Sequence, residues 1–245
     1  MPEFPGFLNP RACDILDPIQ QPEREAAVTV EYEYLVDAGK IYEESFRIIR
    51  EESDLSEFPD DVMRVVTRMI HAAADTKLPE LIKFTPGVVK TCRDALWNGA
   101  PIFCDSRMVA SGVIRSRLPK QNEVVCLLGD ERLAEIAKQH NTTKTAAAVD
   151  LWAPRLEGAV VAIGNAPTAL FRLLEIVRDT GVKPAGVVGI PVGFVGAAES
   201  KQALVDNPYG LEYLVVSGRR GGSAITSAAI NAISSTDERT NEIRK

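Results

Sequence analysis

The chain has 245 residues, 45% of them hydrophobic and 25% charged, which is long and apolar enough to bury a core and excludes the disordered and fibrous classes. Asp and Glu outnumber Lys and Arg by 34 to 28, a net charge of −6, so nucleic-acid binding is disfavoured and an anionic ligand must be met by a local basic cluster. The proline- and acid-bearing first residues lack the pattern of a signal peptide, and no apolar run reaches the roughly 20 residues of a membrane span, which points to a cytoplasmic protein with no membrane partner.

From Val36 onward, short β-branched runs alternate with longer amphipathic ones. In chain order the apolar spacing predicts helices over Val36–Arg50, Asp60–Ala74 and Pro86–Trp97, a strand over Pro101–Cys104 and another over Val124–Leu128. Helices follow over Asp130–His140 and Thr143–Leu151, then strand Val160–Gly164, helix Ala166–Asp179, strand Val187–Gly189, helix Ala197–Asp206, strand Leu214–Ser217 and helix Ser223–Ile233. Asp60 stands where it can cap the second helix, Thr142 or Thr143 can cap a later one, and Gly181 closes the helix before it. Strands separated by helices of this length predict right-handed crossovers and a mainly parallel sheet covered on both faces, a three-layer α/β/α single domain. That domain spans residues 36–233, between an N-terminal extension, 1–35, and a polar tail, 234–245. Cys13, Cys92, Cys104 and Cys126 have no Cys-x-x-Cys spacing and only two histidines for company, so they read as reduced thiols rather than a zinc site or a disulfide framework.

Three predicted strand-to-helix junctions are rich in glycine: Gly164-Asn165-Ala166-Pro167-Thr168, Gly193-Phe194-Val195-Gly196-Ala197 and Gly218-Arg219-Arg220-Gly221-Gly222-Ser223. In a parallel sheet such turns gather at the carboxyl edge, where backbone N–H groups and helix N-termini can receive an anion. Arg219 and Arg220 make the third junction the best anion site, because guanidinium forks onto carboxylates. Each glycine taken alone is equally explained by a tight turn. No Walker sequence and no dinucleotide fingerprint occurs, which disfavours a nucleotide cofactor. A serine triad has little to draw on among Ser45, Ser111 and Ser223 with two histidines.

Counting 100° per residue puts His71 with Arg64, Arg68 and Asp75 on the polar stripe of its helix, away from Val62. It is either an inert surface histidine or a proton donor near neutral pH, in which case Arg68 could steer a carboxylate toward it and Asp75 favour its charged form. His140 reads as a surface residue near a helix end. Arg115, Arg117 and Lys144 are basic residues available to a polycarboxylate, or ordinary surface charges.

Several segments together resemble one family: Ile41-Tyr42-Glu43-Glu44-Ser45-Phe46-Arg47, Arg68-Met69-Ile70-His71-Ala72, Pro101-Ile102-Phe103-Cys104-Asp105, Asn122-Glu123-Val124-Val125-Cys126, Gly158 through Leu170, Pro191 through Lys201, and Gly218-Arg219-Arg220-Gly221-Gly222-Ser223. In this order, from about Val36 to Ile233, they are similar to the precorrin-8X methylmutases, whose cobalt-precorrin-8 form is also known. The resemblance implies an isomerase without a redox or nucleotide cofactor and without a metal, moving a methyl group from C11 to C12 of a tetrapyrrole to give hydrogenobyrinate, or cobyrinate if cobalt is present. It implies that His71 is the catalytic histidine, that Tyr42 and Ser45 face the substrate, that Lys144 contacts it, and that Arg219, Arg220, Gly221 and Gly222 meet its acetate and propionate groups; Arg68, Arg115 and Arg117 are expected to join them on the strength of their charge alone. It also implies a homodimer with sites near the subunit interface. The chain departs from the family in Ala72-Ala73-Ala74-Asp75, where Ala-Cys-Gly commonly follows the histidine, in Lys144 where an arginine is expected, and in Ile114 where threonine is common. A non-catalytic tetrapyrrole carrier and a nucleotide-dependent α/β enzyme are the rival readings.

Overall fold

Six short strands form one sheet in the order β1-β6-β5-β4-β2-β3. They are β1 (Ile82–Phe84), β2 (Ile102–Cys104), β3 (Val124–Val125), β4 (Val160–Ile163), β5 (Gly186–Gly189) and β6 (Tyr213–Val216). All neighbours run parallel except β1, which lies antiparallel to β6. In this computed structural model residues 32–235 are described, and the chain divides into two units, Met1–Asp37 and Ala38–Lys245. The sheet and all the helices of the described residues belong to the second. Cys13 and the tail beyond residue 235 lie outside the described residues.

The register shows why the strands read as continuous apolar runs. Ile102 pairs with Val160, Val161 with Val187 and Val188 with Leu214, and every residue of β4 and β5 is buried, as a sheet covered on both faces requires. Alternate side chains then divide between two cores. Val160, Ala162, Val188, Leu214 and Val216 pack with α1 (Ala38–Glu52), α2 (Asp60–Ala73), α3 (Val88–Trp97), α4 (Arg107–Gly112) and α9 (Ser223–Ser234). Phe103, Val161, Ile163, Val187 and Val215 pack with α6 (Lys144–Trp152), α7 (Pro167–Thr180) and α8 (Ala197–Val205). A satellite cluster holds α5 (Leu133–Gln139) against α6. The three-layer expectation is met. The chain goes from β2 outward to β3, then returns past β2 to β4 and continues through β5 to β6, so strand order reverses between β2 and β4. The carboxyl ends of those two strands flank the crevice where such sheets bind ligands.

Several local readings need correction. Asp60 is the first helical residue rather than the cap: Pro59 occupies the cap position with extended backbone and offers no side-chain bond, while the Asp61 carboxylate accepts from the first-turn N–H of Val62 at 2.9 Å. Asp60 and Asp61 instead place negative charge in the first turn, where the helix dipole favours it. The first helix begins at Ala38, two residues later than the sequence pattern suggests. The strand expected over Val124–Leu128 shrinks to two residues because, at the sheet edge, it has only β2 to pair with. The edge strand β1 and the six-residue helix α4 are absent from the sequence reading. Thr143, in contrast, caps α6 by accepting from the Ala146 N–H at 3.2 Å, and Gly181 closes α7 with φ +74°.

Candidate active site

The amphipathic spacing that buries Val62, Val65, Val66, Met69 and Ile70 of α2 leaves Arg68 and His71 on the side facing α1 and solvent. The His71 ring stacks on Phe46 of α1 with centroids 5.2 Å apart and planes 15° from parallel, and Tyr42 lies 6.1 Å away. The Arg68 guanidinium sits over the same two aromatic rings, 5.1 Å from Tyr42 and 5.0 Å from Phe46. His71 therefore rests on one aromatic ring and remains exposed to solvent. Loss of solvent, with the Arg68 charge adding to it, holds its pKa below the ordinary histidine value, so the neutral ring is favoured in the unliganded protein. This corrects the expectation that Asp75 favours the charged form: the Asp75 carboxylate is engaged by Arg220 instead. Ser45 donates to the Ile41 carbonyl at 2.8 Å, within its own helix, one turn from Tyr42.

That Asp75–Arg220 ion pair ties the end of α2 to the turn between β6 and α9, so His71 and the arginine-bearing turn share one neighbourhood. Arg219 and Arg220 are exposed there, and the Arg219 guanidinium lies 5.5 Å over Phe194, whose ring is 85% exposed in the loop between β5 and α8. The turn is seated on the end of β5: the Gly222 N–H donates to Ile190 O at 2.9 Å, and the Gly193 N–H to Arg219 O at 3.3 Å. Gly221 has to be glycine, because a Cβ there would meet Ile190 O at 2.3 Å and Pro191 O at 2.6 Å. Gly222 adopts φ +127°, which disfavours any side chain.

Two buried charges underlie these turns, and in the sequence both stand only as members of longer segments, with no role assigned to either. Asp105, at the carboxyl end of β2 and 1% exposed, accepts from the N–H groups of Gly164, Asn165 and Ala166 at 3.0, 2.8 and 2.6 Å. Burial pushes its carboxyl up from the ordinary range, against the downward pull of those donors. The 164–166 turn thus does not offer its amides to an external anion as expected; they point at Asp105. Lys201 of α8, also 1% exposed, donates to the Arg220 carbonyl at 2.6 Å. Its sequence signal was its place on the inward stripe Ala197, Lys201, Leu204. Asp105 was marked only by ending an apolar strand at the switch point.

The remaining expected contacts lie around the crevice and are not joined to His71 by any direct bond. Arg115 and Arg117 are exposed in a single 3-10 turn after α4. Asn231 of α9 anchors the approach to it, accepting from the Ile114 N–H and donating to Gly112 O, each at 2.8 Å. Lys144 opens α6 beside Thr143, whose hydroxyl lies 2.8 Å from that of Thr168 at the start of α7. His140 is the C-terminal cap of α5, 3.4 Å from Asp150, a surface role as read. A groove of about 940 Å³ lined by Glu52, Asp54, Glu57, Lys77 and Glu80 contains none of these residues, and its excess of carboxylates would repel a polyanion. Among the described residues no cluster of three or more His, Cys, Asp or Glu side chains suits a metal ion, and no helix is long and apolar enough to cross a membrane.

The family model described as CbiC, precorrin-8X methylmutase, matches residues 40–236. A precorrin-8X methylmutase from a Sinorhizobium species is 53% identical over 203 residues, 83% of this chain and 97% of that protein. The Pseudomonas aeruginosa precorrin-8X methylmutase is 46% identical over 206 residues, 84% of this chain and 99% of that protein. A crystal structure of precorrin-8X methylmutase from Thermus thermophilus superposes with a TM-score of 0.72 at 41% identity, covering 80% of this chain and 94% of the other.

Proposed function

The chain belongs to the precorrin-8X methylmutase family, and from that membership we propose that it is an isomerase of cobalamin biosynthesis, moving a methyl group from C11 to C12 of precorrin-8X to give hydrogenobyrinate. The observation that carries the site assignment is His71 itself. A weakly basic imidazole is stacked on Phe46, is flanked by Arg68, and stands on a helix whose end is pinned to the arginine turn.

The reaction is internal to the substrate, so atoms and electrons balance without a second reactant. What the protein must supply is confinement and the passage of one proton. Arg219, Arg220 and the backbone around Gly221 and Gly222 receive acetate and propionate groups; Arg115, Arg117 and Lys144 serve those on the crevice side. Tyr42, with Ser45 one turn along, and the exposed Phe194 give the macrocycle apolar and polar surface. The carboxylates of the bound substrate bring negative charge toward His71, which raises its proton affinity from the depressed level of the free protein. The protonated ring then donates to the ring C region, favours the tautomer that rearranges, and recovers its proton as product forms. A homodimer, with each site near the interface, completes the proposal, and sedimentation analysis tests that part separately.

The visible spectrum of the purified protein mixed with precorrin-8X tests the function. The wild type converts it, and His71→Ala, whose side chain lies off the apolar stripe, stays folded and binds hydrogenobyrinate but converts at least about 100-fold more slowly. Conversion by His71→Ala at the wild-type rate removes His71 from the chemistry. A wild type that binds both the cobalt-free and the cobalt-containing substrate without converting either is a carrier.

A further inference from the structure

A buried lysine with no acidic partner is costly, because its ammonium loses water and gains no opposite charge. Lys201 is in that position: among the described residues no carboxylate pairs with it, and its bond is to a backbone carbonyl, that of Arg220. A methionine would fill the same space without the penalty, so the contact itself has to account for the ammonium. The chain has no cis peptides among its described residues, and in a trans peptide the carbonyl and the following N–H point in opposite directions. Drawing the Arg220 carbonyl to the buried Lys201 therefore turns the Gly221 N–H away from Lys201.

We propose that Lys201 is a positioning residue for the substrate: by binding the Arg220 carbonyl it fixes the Arg220–Gly221 peptide with its N–H facing outward, as a donor to a carboxylate of the tetrapyrrole. Three features of the site agree with this role. Gly221 carries no side chain to shield its N–H. The neighbouring amides of Gly193 and Gly222 are already committed to Arg219 O and Ile190 O, so they hold the turn and leave the donor role to Gly221. The ammonium also lies beneath the turn with its charge uncompensated, adding positive potential where two guanidiniums already stand. Burial alone lowers its pKa, to about 8, so it still carries the charge at neutral pH.

The proposal rests on the methylmutase reading, and the test separates the two. Hydrogenobyrinate affinity and the kinetic constants for precorrin-8X are measured for the wild type, Lys201→Met and Lys201→Gln, with circular dichroism to establish folding. The wild type has to bind and convert; if it does neither, the functional reading fails before the variants are compared. Given an active wild type, Lys201→Met is expected to fold, to weaken hydrogenobyrinate binding and raise KM by about tenfold or more, and to leave kcat near the wild-type value. Lys201→Gln, which keeps a donor for the carbonyl, recovers part of the affinity. A folded Lys201→Met with wild-type affinity and KM overturns the proposal. So does a loss confined to kcat, and so does failure of both variants to fold, which makes Lys201 a residue of the fold alone.

Discussion

The turns after β4 and β6 stand at the same edge of one sheet, both open onto a helix, and both are held down by a buried charge, but the charges have opposite sign. After β4, the Asp105 carboxylate gathers three N–H groups inward, which leaves the turn rigid and turned away from an incoming anion. After β6, the Lys201 ammonium takes the Arg220 carbonyl inward, which points the Gly221 N–H the opposite way, beside two exposed arginines. Glycine content, one residue in the first turn and three in the second, does not tell which way the peptides face. The sign of the charge beneath a turn decides whether its peptides serve the fold or a ligand.

Removing each buried charge should therefore have opposite consequences. Asp105→Ala strands three inward-facing donors, and the expected loss is about 3 kcal/mol or more of stability, read from the urea unfolding midpoint. A loss below about 1 kcal/mol would mean the turn refolds around water and the contrast is weaker than drawn. Lys201 gives a smaller effect, of the other kind. Its folded pKa of about 8 lies below that of an unfolded lysine. Below about pH 8 both states hold the proton and the full cost of burying it is present; above that, up to the ordinary lysine range, the unfolded chain holds a proton that the folded chain has released, so stability rises with pH. Unfolding at about pH 7.5 and about pH 9.5 should show this rise in the wild type and its absence in Lys201→Met, after the change common to both is subtracted. The end of α2 is the control, a turn with no buried charge beneath it. There Ala74 adopts φ +49°, ψ +42° without being glycine. Ala74→Gly should stabilise by about 1 kcal/mol, seen as a higher thermal midpoint, and should leave KM unchanged.

How far the sequence reached can be judged on the same elements. Four of the six strands lie close to where the apolar runs put them, because a central strand buried on both faces is continuous in sequence. The edges carry less signal. β1 is three residues between Pro79 and Pro86 and alternates too briefly to be read, and α4 is too short to repeat its period. That His71 stands off the core was legible, since helical spacing alone set it apart, but spacing left its role open. Asp105 and Lys201 were not, because what gives them meaning is a set of backbone atoms 59 to 61 residues away for one and 19 for the other. A charged side chain facing inward looks like any other until the fold supplies its partner.

The thiols have a consequence of a different kind. Cys92, deep between α3 and the sheet, has its pKa pushed up to about 12 by burial, and Cys104 at the end of β2 is raised as well, while Cys126 is only partly covered. Reaction with an alkylating reagent requires both access and a thiolate. The two buried thiols therefore act as a clock on opening of the sheet from the α2–α9 side: each can be labelled no faster than its surroundings part, and Cys126 supplies the rate of an already accessible group. Labelling in the presence of hydrogenobyrinate would show whether a ligand held at the rim of the sheet slows the breathing of its centre.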